Sequence, residues 1–302
     1  MSCGHAHHSG ERHLRQALAI SVAFLVLEAV GGILANSLAL LSDAGHMVVD
    51  VSALALASVA AAHARRPRDP EHTFGYRRLE LLAALGNGVL LAVVAGAILR
   101  EAFLRLDEPP EVRTGLMLAV ACAGLVANLL GLWLLRSDRR SDLNLRAAFY
   151  HVAGDAVGSL GAIAAALVMR WTGWQRADAI ASILISVMIL WGAVRLVRES
   201  VHYLMEGAPR EIAVGDVEHC VRCTTGVVGV HDLHLWRIGT GMDILTAHVV
   251  VDDLAEWRSV QREIRDCLRE RFGLVHVTLQ MEGRDDLTHD AHRLGVCDEP
   301  GD

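Results

Sequence analysis

The chain has 302 residues, of which 53% are hydrophobic and 21% charged, and its formal net charge is −7. Soluble domains hold about 45–50% apolar residues, so this composition favours a membrane protein. The negative charge argues against a nucleic-acid partner, because binding phosphates requires a basic surface.

The first 13 residues form a tail that contains Cys3 and four histidines. No basic segment is followed directly by an apolar core, so we expect no cleaved signal peptide. Instead, we expect a cytosolic tail that collects metal weakly. The six cysteines of the chain lack the spacing of a secreted framework, and we expect no disulfides.

Six apolar stretches follow the tail, and each is long enough to cross a hydrocarbon core of ~30 Å as a helix. They are roughly residues 14–36, 38–62, 80–104, 114–136, 144–170 and 177–201. Arginines cluster after the second and fourth stretches, which predicts that these loops lie in the cytosol. An even number of spans then places both termini in the cytosol. The sequence therefore predicts an all-α, six-helix domain over residues 14–205 that lies in a lipid bilayer.

The second and fifth stretches each carry a histidine followed four residues later by an aspartate, His46 with Asp50 and His151 with Asp155. Each pair shares one helical face. A carboxylate in an apolar span is costly and marks a functional site. Two imidazoles and two carboxylates match the ligands of tetrahedral zinc. The alternative is that the histidines bond neighbouring helices and the acids pair with arginine, but no arginine lies in the centre of either stretch.

Five further polar residues lie in or near the apolar stretches. They are Glu28, Asp43, Asn87, Asn128 and Asp178. We expect them to form interhelical hydrogen bonds or a water-filled path rather than to bind metal. Asp43 is the exception to consider, because it precedes His46 by three residues on the same helical face.

A soluble region begins at residue 206, where the last apolar stretch ends. Its patterns predict a helix, two strands, an amphipathic helix and a strand, at about 210–224, 230–238, 244–251, 254–272 and 274–282. This αββαβ order predicts an α+β domain over residues 206–302 with its helices on one face of the sheet. Residues 210–302 hold 18 acids and 10 arginines, which favours cations nearby. Its thin core favours pairing with a second copy.

Four segments of the chain resemble the cation diffusion facilitator family, and more narrowly its zinc-transporting bacterial members. The segments are residues 42–50, 72–80, 151–161 and 231–236. The resemblance implies a homodimer, proton-coupled efflux, and a cytosolic domain of metallochaperone-like shape that binds further metal. In that family the first ligand of the second-span pair is associated with selectivity. His46 at that position favours zinc, with cadmium or cobalt tolerated.

The resemblance also implies a metal site in the soluble domain. Its ligands are His231, His248, His276 and Glu282. His234 is a weaker candidate, and the alternative is that these are ordinary surface histidines. Cys220 and Cys223 form an isolated CxxC pair on a predicted helix, for which burial in the core is a better explanation than metal binding.

A third site is implied in the loop between the second and third spans, with Asp69 and His72 as ligands. Tyr76 stands where relatives have another histidine, and a metal site needs its full ligand count. A solvated loop is the alternative. We also predict an ion pair between Arg78 and Glu206 from their positions in the family.

These features predict a proton-coupled exporter of Zn²⁺ in a bacterial inner membrane, without an organic cofactor. An importer or exchanger would use the same site, since ligand identity does not encode direction. A membrane metal sensor is an alternative from another class, but it has no need of paired intramembrane sites. An enzyme is disfavoured because no HExxH motif or activated nucleophile accompanies the histidines.

Overall fold

The computed structural model describes residues 22–64, 69–135, 143–239 and 241–284. By internal packing the chain divides into two compact units. The unit that contains the soluble domain also takes the residues from Val59 to Leu82, and the other unit contains most of the apolar helices.

In the described residues, the apolar part of the chain forms six helices. They are α1 (Val22–Ala35 in its described part), α2 (Leu38–Ala64), α3 (Arg78–Asp107), α4 (Thr114–Leu135), α5 (Leu143–Thr172) and α6 (Arg176–Leu204). Within the described residues, α3 to α6 are long and apolar enough to cross a membrane. Large apolar side chains such as Ile33, Val93 and Leu184 are exposed on these helices, as a lipid-facing surface requires. The predicted membrane helices are confirmed, while residues 14–21 of the first stretch lie outside the described part.

Small side chains fill the contacts between these helices. Six alanines are fully buried in one core cluster, namely Ala35, Ala39, Ala95, Ala121, Ala166 and Ala193. Alanine lets two helix backbones approach closely, which is how membrane helices gain packing energy without a hydrophobic driving force. Polar contacts add to this packing, since Asn128 Nδ2 on α4 donates a hydrogen bond to Ser159 Oγ on α5 (3.4 Å).

The first turn of α2 is capped by an acid from another helix. Asp178, in the first turn of α6, is 2% exposed. It accepts hydrogen bonds from the Ser37 hydroxyl (2.6 Å), the Leu38 N–H (2.7 Å) and the Ala39 N–H (3.3 Å). The N–H groups at a helix start have no partner within their own helix, so this carboxylate satisfies them. The expected interhelical role of Asp178 is confirmed.

The soluble domain contains α7 (Val214–Arg222), β1 (Val227–Gly239), β2 (Met242–Val251), α8 (Trp257–Phe272) and β3 (His276–Glu282). The sheet order is β1-β2-β3, with β1 and β2 antiparallel and β2 and β3 parallel. Because parallel strands require a crossover, α8 connects β2 to β3. The predicted αββαβ order is confirmed.

Both helices of the soluble domain pack on one face of β2. Val221 of α7 and Ile264 of α8 are fully buried in the same cluster as Leu245 and Val249 of β2. Side chains alternate along a strand, so the even-numbered residues of β2, His248 among them, lie on the opposite face. The two helices therefore lie on the face of the sheet opposite to His248.

Candidate metal sites

In the membrane part, one member of each predicted His–Asp pair faces the other. His46 Nε2 on α2 lies 3.9 Å from Asp155 Oδ1 on α5, and the side chains are 20% and 12% exposed. The side chains of Asp50 and His151 lie outside the described residues. Because Asp50 follows His46 by four residues and His151 precedes Asp155 by four, their backbone positions are one helical turn away. The structure thus brings α2 and α5 together at the turns that carry the two predicted His–Asp pairs.

Two further carboxyl groups adjoin this contact. Asp43 lies against α5 at Gly158, where an added Cβ would be 3.4 Å from Asp43 Oδ1. Glu28 on α1 is fully buried, and its carboxyl group is near enough to those of Asp43 and Asp155 to interact with them electrostatically. No N–H or hydroxyl group of the described residues donates a hydrogen bond to the Glu28 oxygens.

In the soluble domain, three candidate ligands converge on the face of the sheet opposite to α7 and α8. His231 of β1, His248 of β2 and Glu282 of β3 place their ligand atoms within 4.8 Å of one another. The register explains this, since His231 pairs directly with His248 and Glu282 pairs with Val250, two residues further along β2. Residues two apart on a strand share a face. The three strands therefore present three ligands to one point.

Glu282 is the centre of this cluster. Its Oε2 is 2.8 Å from His231 Nε2, and its Oε1 is 2.6 Å from His248 Nδ1. Burial raises the pKa of Glu282, but hydrogen bonds from His231, Gln280 and His248 outweigh burial and hold the pKa below its usual value. The carboxylate is thus charged at neutral pH. A metal ion bound here would replace the histidine protons that now face Glu282.

Asp232 is a neighbouring acid that the sequence interpretation missed. It has a positive φ of 50° and lies at an irregularity of β1 between His231 and His234. Its Oδ1 is 3.1 Å from His234 Nε2, and its Oδ2 is 3.8 Å from His248 Nε2. A positive φ is uncommon for a residue other than glycine and marks a backbone held by its surroundings. The sequence feature that indicates this acid is its position between two histidines, in the segment from His231 to His234.

The structure places His276 away from this cluster. It begins β3 six residues before Glu282, which is about 20 Å along a strand. Its ring meets Phe74 edge to face, with centroids 5.8 Å apart. The predicted fourth ligand is therefore not brought to the other three.

In the loop before α3, Asp69 and His72 are neighbours, with Oδ1 and Nδ1 3.1 Å apart. The Tyr76 hydroxyl donates to Asp69 Oδ2 (2.7 Å), and the His72 N–H donates to Oδ1 (2.6 Å). These bonds, with Tyr76 the largest cause, lower the pKa of Asp69. Two metal-ligand side chains are present here, and the Tyr76 hydroxyl, which is not one of the predicted ligands, holds the Asp69 carboxylate.

The predicted ion pair between Arg78 and Glu206 is present, with Nη2 2.8 Å from Oε1. Both side chains are exposed, at 44% and 61%. An exposed pair of this kind contributes at most about 1 kcal/mol, so it orients these residues more than it stabilises the fold.

The cysteines of the soluble domain meet between its two helices. Cys220 of α7 is 3% exposed, and its sulfur is bonded to that of Cys267 on α8. The expected burial of Cys220 is confirmed. The expectation of no disulfide is wrong here, because spacing along the chain does not show that α7 and α8 pack side by side. The expected burial is wrong for Cys223, which is a free, exposed thiol whose sulfur is 3.4 Å from His219 Nε2.

Two family models match the chain. One, described as the cation efflux transmembrane domain, matches residues 14–205, and the other, described as the cytoplasmic domain of cation efflux proteins, matches residues 209–284.

Curated relatives match over nearly their whole length. The chain is 41% identical to a cadmium, cobalt and zinc/H(+)-K(+) antiporter of Bacillus subtilis, covering 92% of each chain. It is 43% identical to the metal cation efflux system protein CzcD of Cupriavidus metallidurans, covering 93% of this chain and 90% of that one. It is 41% identical to the zinc transporter ZitB of Escherichia coli, covering 93% of each. The metal-bound C-terminal domain of the CzcD transporter, a solved structure, is 37% identical over 24% of this chain and 99% of that one, with a TM-score of 0.22.

Proposed function

The chain belongs to the cation diffusion facilitator family of cation efflux proteins, and from that membership we propose that it exports zinc from the cytosol in exchange for protons. Cadmium and cobalt are the further substrates we expect, since the similar antiporter of Bacillus subtilis carries both in its name. The observation on which the proposal depends is the approach of His46 on α2 to Asp155 on α5 inside an apolar helix bundle.

We propose that zinc binds to His46, Asp50, His151 and Asp155 during transport. Imidazole and carboxylate together suit zinc, whereas harder ions such as manganese prefer oxygen ligands alone. The two carboxylates balance the charge of a divalent ion, which lowers the cost of holding it in a medium of low dielectric. Close approach of α2 to Gly158 of α5 supports this arrangement.

Protons are the natural exchange partner for this site. Imidazole binds metal only in its neutral form, and its reference pKa of ~6.5 lets modest acidity compete with the metal. Moving a doubly charged ion outward against an inside-negative potential costs about 4.6 kcal/mol per 100 mV, and each entering proton returns about 2.3 kcal/mol. One proton leaves a deficit, so a pH gradient or a second proton must supply the rest.

We propose that the soluble domain binds zinc through His231, His248 and Glu282. Three protein ligands leave a fourth tetrahedral position for water or for the nearby Asp232. In the loop, Asp69 and His72 supply two ligands, and we propose that the Tyr76 hydroxyl takes the place of a metal in holding Asp69.

The chain is a membrane protein, and we place it in the inner membrane of a bacterium with both termini in the cytosol. The arginines after the second and fourth spans support this orientation. We further propose a homodimer, since the soluble domain has a thin core and matches the family's cytoplasmic domain.

Flux measured in proteoliposomes tests this function. Protein reconstituted under an imposed pH gradient should transport zinc fastest, cadmium and cobalt more slowly, and manganese not at all. Asp155→Ala should abolish the flux, while Asp107→Ala, an exposed acid at the end of α3, should leave it unchanged. Zinc flux that follows the metal gradient and does not change with the imposed pH gradient would refute proton coupling.

Two rival functions give other outcomes. An importer would accumulate zinc on the opposite side of everted vesicles under the same pH gradient. A sensor would show no flux, and its soluble domain would bind zinc equally in the parent chain and in Asp155→Ala.

A further inference from the structure

Four exposed arginines form a stripe along one side of α8. They are Arg258, Arg262, Arg265 and Arg269. At about 100° and about 1.5 Å per residue, they lie within about 60° of one another around the helix axis, in a stripe about 16 Å long. Residues three and four apart are neighbours on a helix surface, so these like charges repel one another. An anion placed along the stripe would relieve that repulsion.

The stripe forms one wall of a groove beside β3, which is an edge strand of the sheet. The groove has a volume of about 530 Å³, and its other wall includes Val277 and the 81% exposed Val275. Arg265 Nη2 donates a hydrogen bond to the Val277 carbonyl (3.2 Å) and so joins the two walls. Four arginines and one acid, Asp266, give the lining a formal charge of +3. We call this feature the arginine groove.

Two of these arginines lack a counter-charge in the described part of the domain. Arg262 and Arg269 form no ion pair with a described residue. Arg258 lies over the ring of Trp257, with Cζ 5.2 Å from the ring centroid. Guanidinium groups pair with carboxylates through two parallel hydrogen bonds. A concentration of positive charge in an otherwise acidic domain therefore indicates a partner that carries carboxylates.

The segment that follows residue 284 has the complementary charge. Residues 285–302 lie outside the described part of the chain, and also beyond the match to the family's cytoplasmic domain, which ends at residue 284. Six acids and one arginine give this segment a formal charge of −5. The acids are Asp285, Asp286, Asp290, Asp298, Glu299 and Asp302. We propose that this acidic C-terminal segment binds in the arginine groove of its own chain.

The fold brings the segment to the start of the groove. Because β2 and β3 are parallel and α8 connects them, the end of β3 lies near the beginning of α8. Arg284 Nε is 2.8 Å from Asp252 Oδ1, and Asp252 precedes the first residue of α8, Trp257, by five residues. The 18 residues after Arg284 can span at most about 60 Å, which exceeds the length of the stripe.

The covalent link makes weak pairs sufficient. A single exposed ion pair contributes little to binding. A short flexible link, however, gives the tethered segment an effective concentration in the millimolar range. Several carboxylates that meet several arginines along one groove then bind together. The contact depends on charge and should weaken as salt is added.

Quenching of a fluorescent label by Trp257 provides the test. In the full-length protein in detergent, Cys3, Cys122, Cys223 and Cys297 are replaced by serine, and bimane is attached at Thr288→Cys. Trp257 lines the groove, so its indole quenches a bimane that is held there. With millimolar affinity and a millimolar effective concentration, about half of the segments are bound, so Trp257→Phe should raise the emission about twofold.

Arginine variants decide which residues hold the segment. Arg262→Glu and Arg269→Glu should each raise the emission toward that of Trp257→Phe. Arg271→Glu is the matched control, because Arg271 is an exposed arginine of α8 that does not line the groove. In 1 M salt, where the screening length falls to about 3 Å, quenching should be lost in the parent chain. Equal emission from the parent and Trp257→Phe, or an equal rise in Arg262→Glu and Arg271→Glu, would overturn the proposal.

Two other occupants of the groove give distinct results, and either result would overturn the proposal. If an anionic lipid surface occupies the groove, the parent should show no quenching in detergent and should bind phosphatidylserine vesicles less tightly after Arg262→Glu. If the segment of a second copy occupies it, labelled Trp257→Phe chains should be quenched when they are mixed with unlabelled parent chains. Because the substituted arginines are exposed, these variants keep the core of the domain intact.

Discussion

Asp178 links the start of α2 to α6, and replacing it should weaken both the fold and the transport site. In Asp178→Ala the Ser37 hydroxyl and the N–H groups of Leu38 and Ala39 lose a buried acceptor. A hydrogen bond to a charged group contributes about 1.5–3 kcal/mol. Part of that sum is offset because the carboxylate no longer has to be buried, so we expect a net loss of about 3–5 kcal/mol.

The effect should extend to His46, which lies eight residues after Leu38 and therefore about 12 Å along the helix. If the first turn of α2 loosens, the approach of His46 to Asp155 at 3.9 Å is no longer held. We therefore expect zinc flux to fall at temperatures where the protein is still folded.

Thermal unfolding in detergent, followed by tryptophan fluorescence, measures the loss of stability. By the scaling of soluble domains of 150–250 residues, the midpoint should fall by roughly 10 °C. Asp178→Asn keeps an oxygen acceptor at a capping position and should cost about 1–2 kcal/mol. Asp107→Ala, an exposed acid, should not change the midpoint. An Asp178→Ala midpoint equal to that of the parent would show that the carboxylate does not act as the cap, and an equal loss in Asp178→Asn would show that a single amide oxygen cannot replace it.

Two further predictions concern the soluble domain and the loop. Glu282→Gln removes the negative charge at the centre of the histidine cluster, so calorimetry should show at least about tenfold weaker zinc binding there. The control variant His276→Ala should bind zinc as the parent does. Equal losses of affinity in the two variants would contradict the three-ligand site. Tyr76→Phe removes the largest cause of the lowered pKa of Asp69, so a carboxyl NMR titration should show that pKa rising toward 3.8. A carboxyl group whose pKa is lowered on folding stabilises the folded loop at pH values above its unfolded pKa, and this stabilisation is lost as the pH falls through the folded pKa. Since the folded pKa of Asp69 is higher in the variant, its loop should lose order at a higher pH than the loop of the parent. An unchanged titration would mean that the Tyr76 hydroxyl does not hold Asp69.

Local patterns in the sequence determined the elements of this protein. Apolar stretches of about 20 residues predict membrane helices, because every backbone polar group must be bonded within the segment in lipid. Alternation and helical periodicity predict the αββαβ order for a similar reason, since each element must bury one face. The four-residue spacing of His46 and Asp50 likewise predicts that both side chains lie on one face of a helix, about one turn apart.

Which residues meet across elements was decided by the tertiary structure. Strand register brings His231, His248 and Glu282 together and leaves His276 about 20 Å along β3. Helix packing joins Cys220 to Cys267, 47 residues apart in sequence. Periodicity states which face of an element is apolar, but not which neighbour covers it or in what register, because that choice depends on the packing of the whole domain. The amino-acid sequence thus determined the helices, the strands and the ligand types, and the three-dimensional packing decided which ligands share a site.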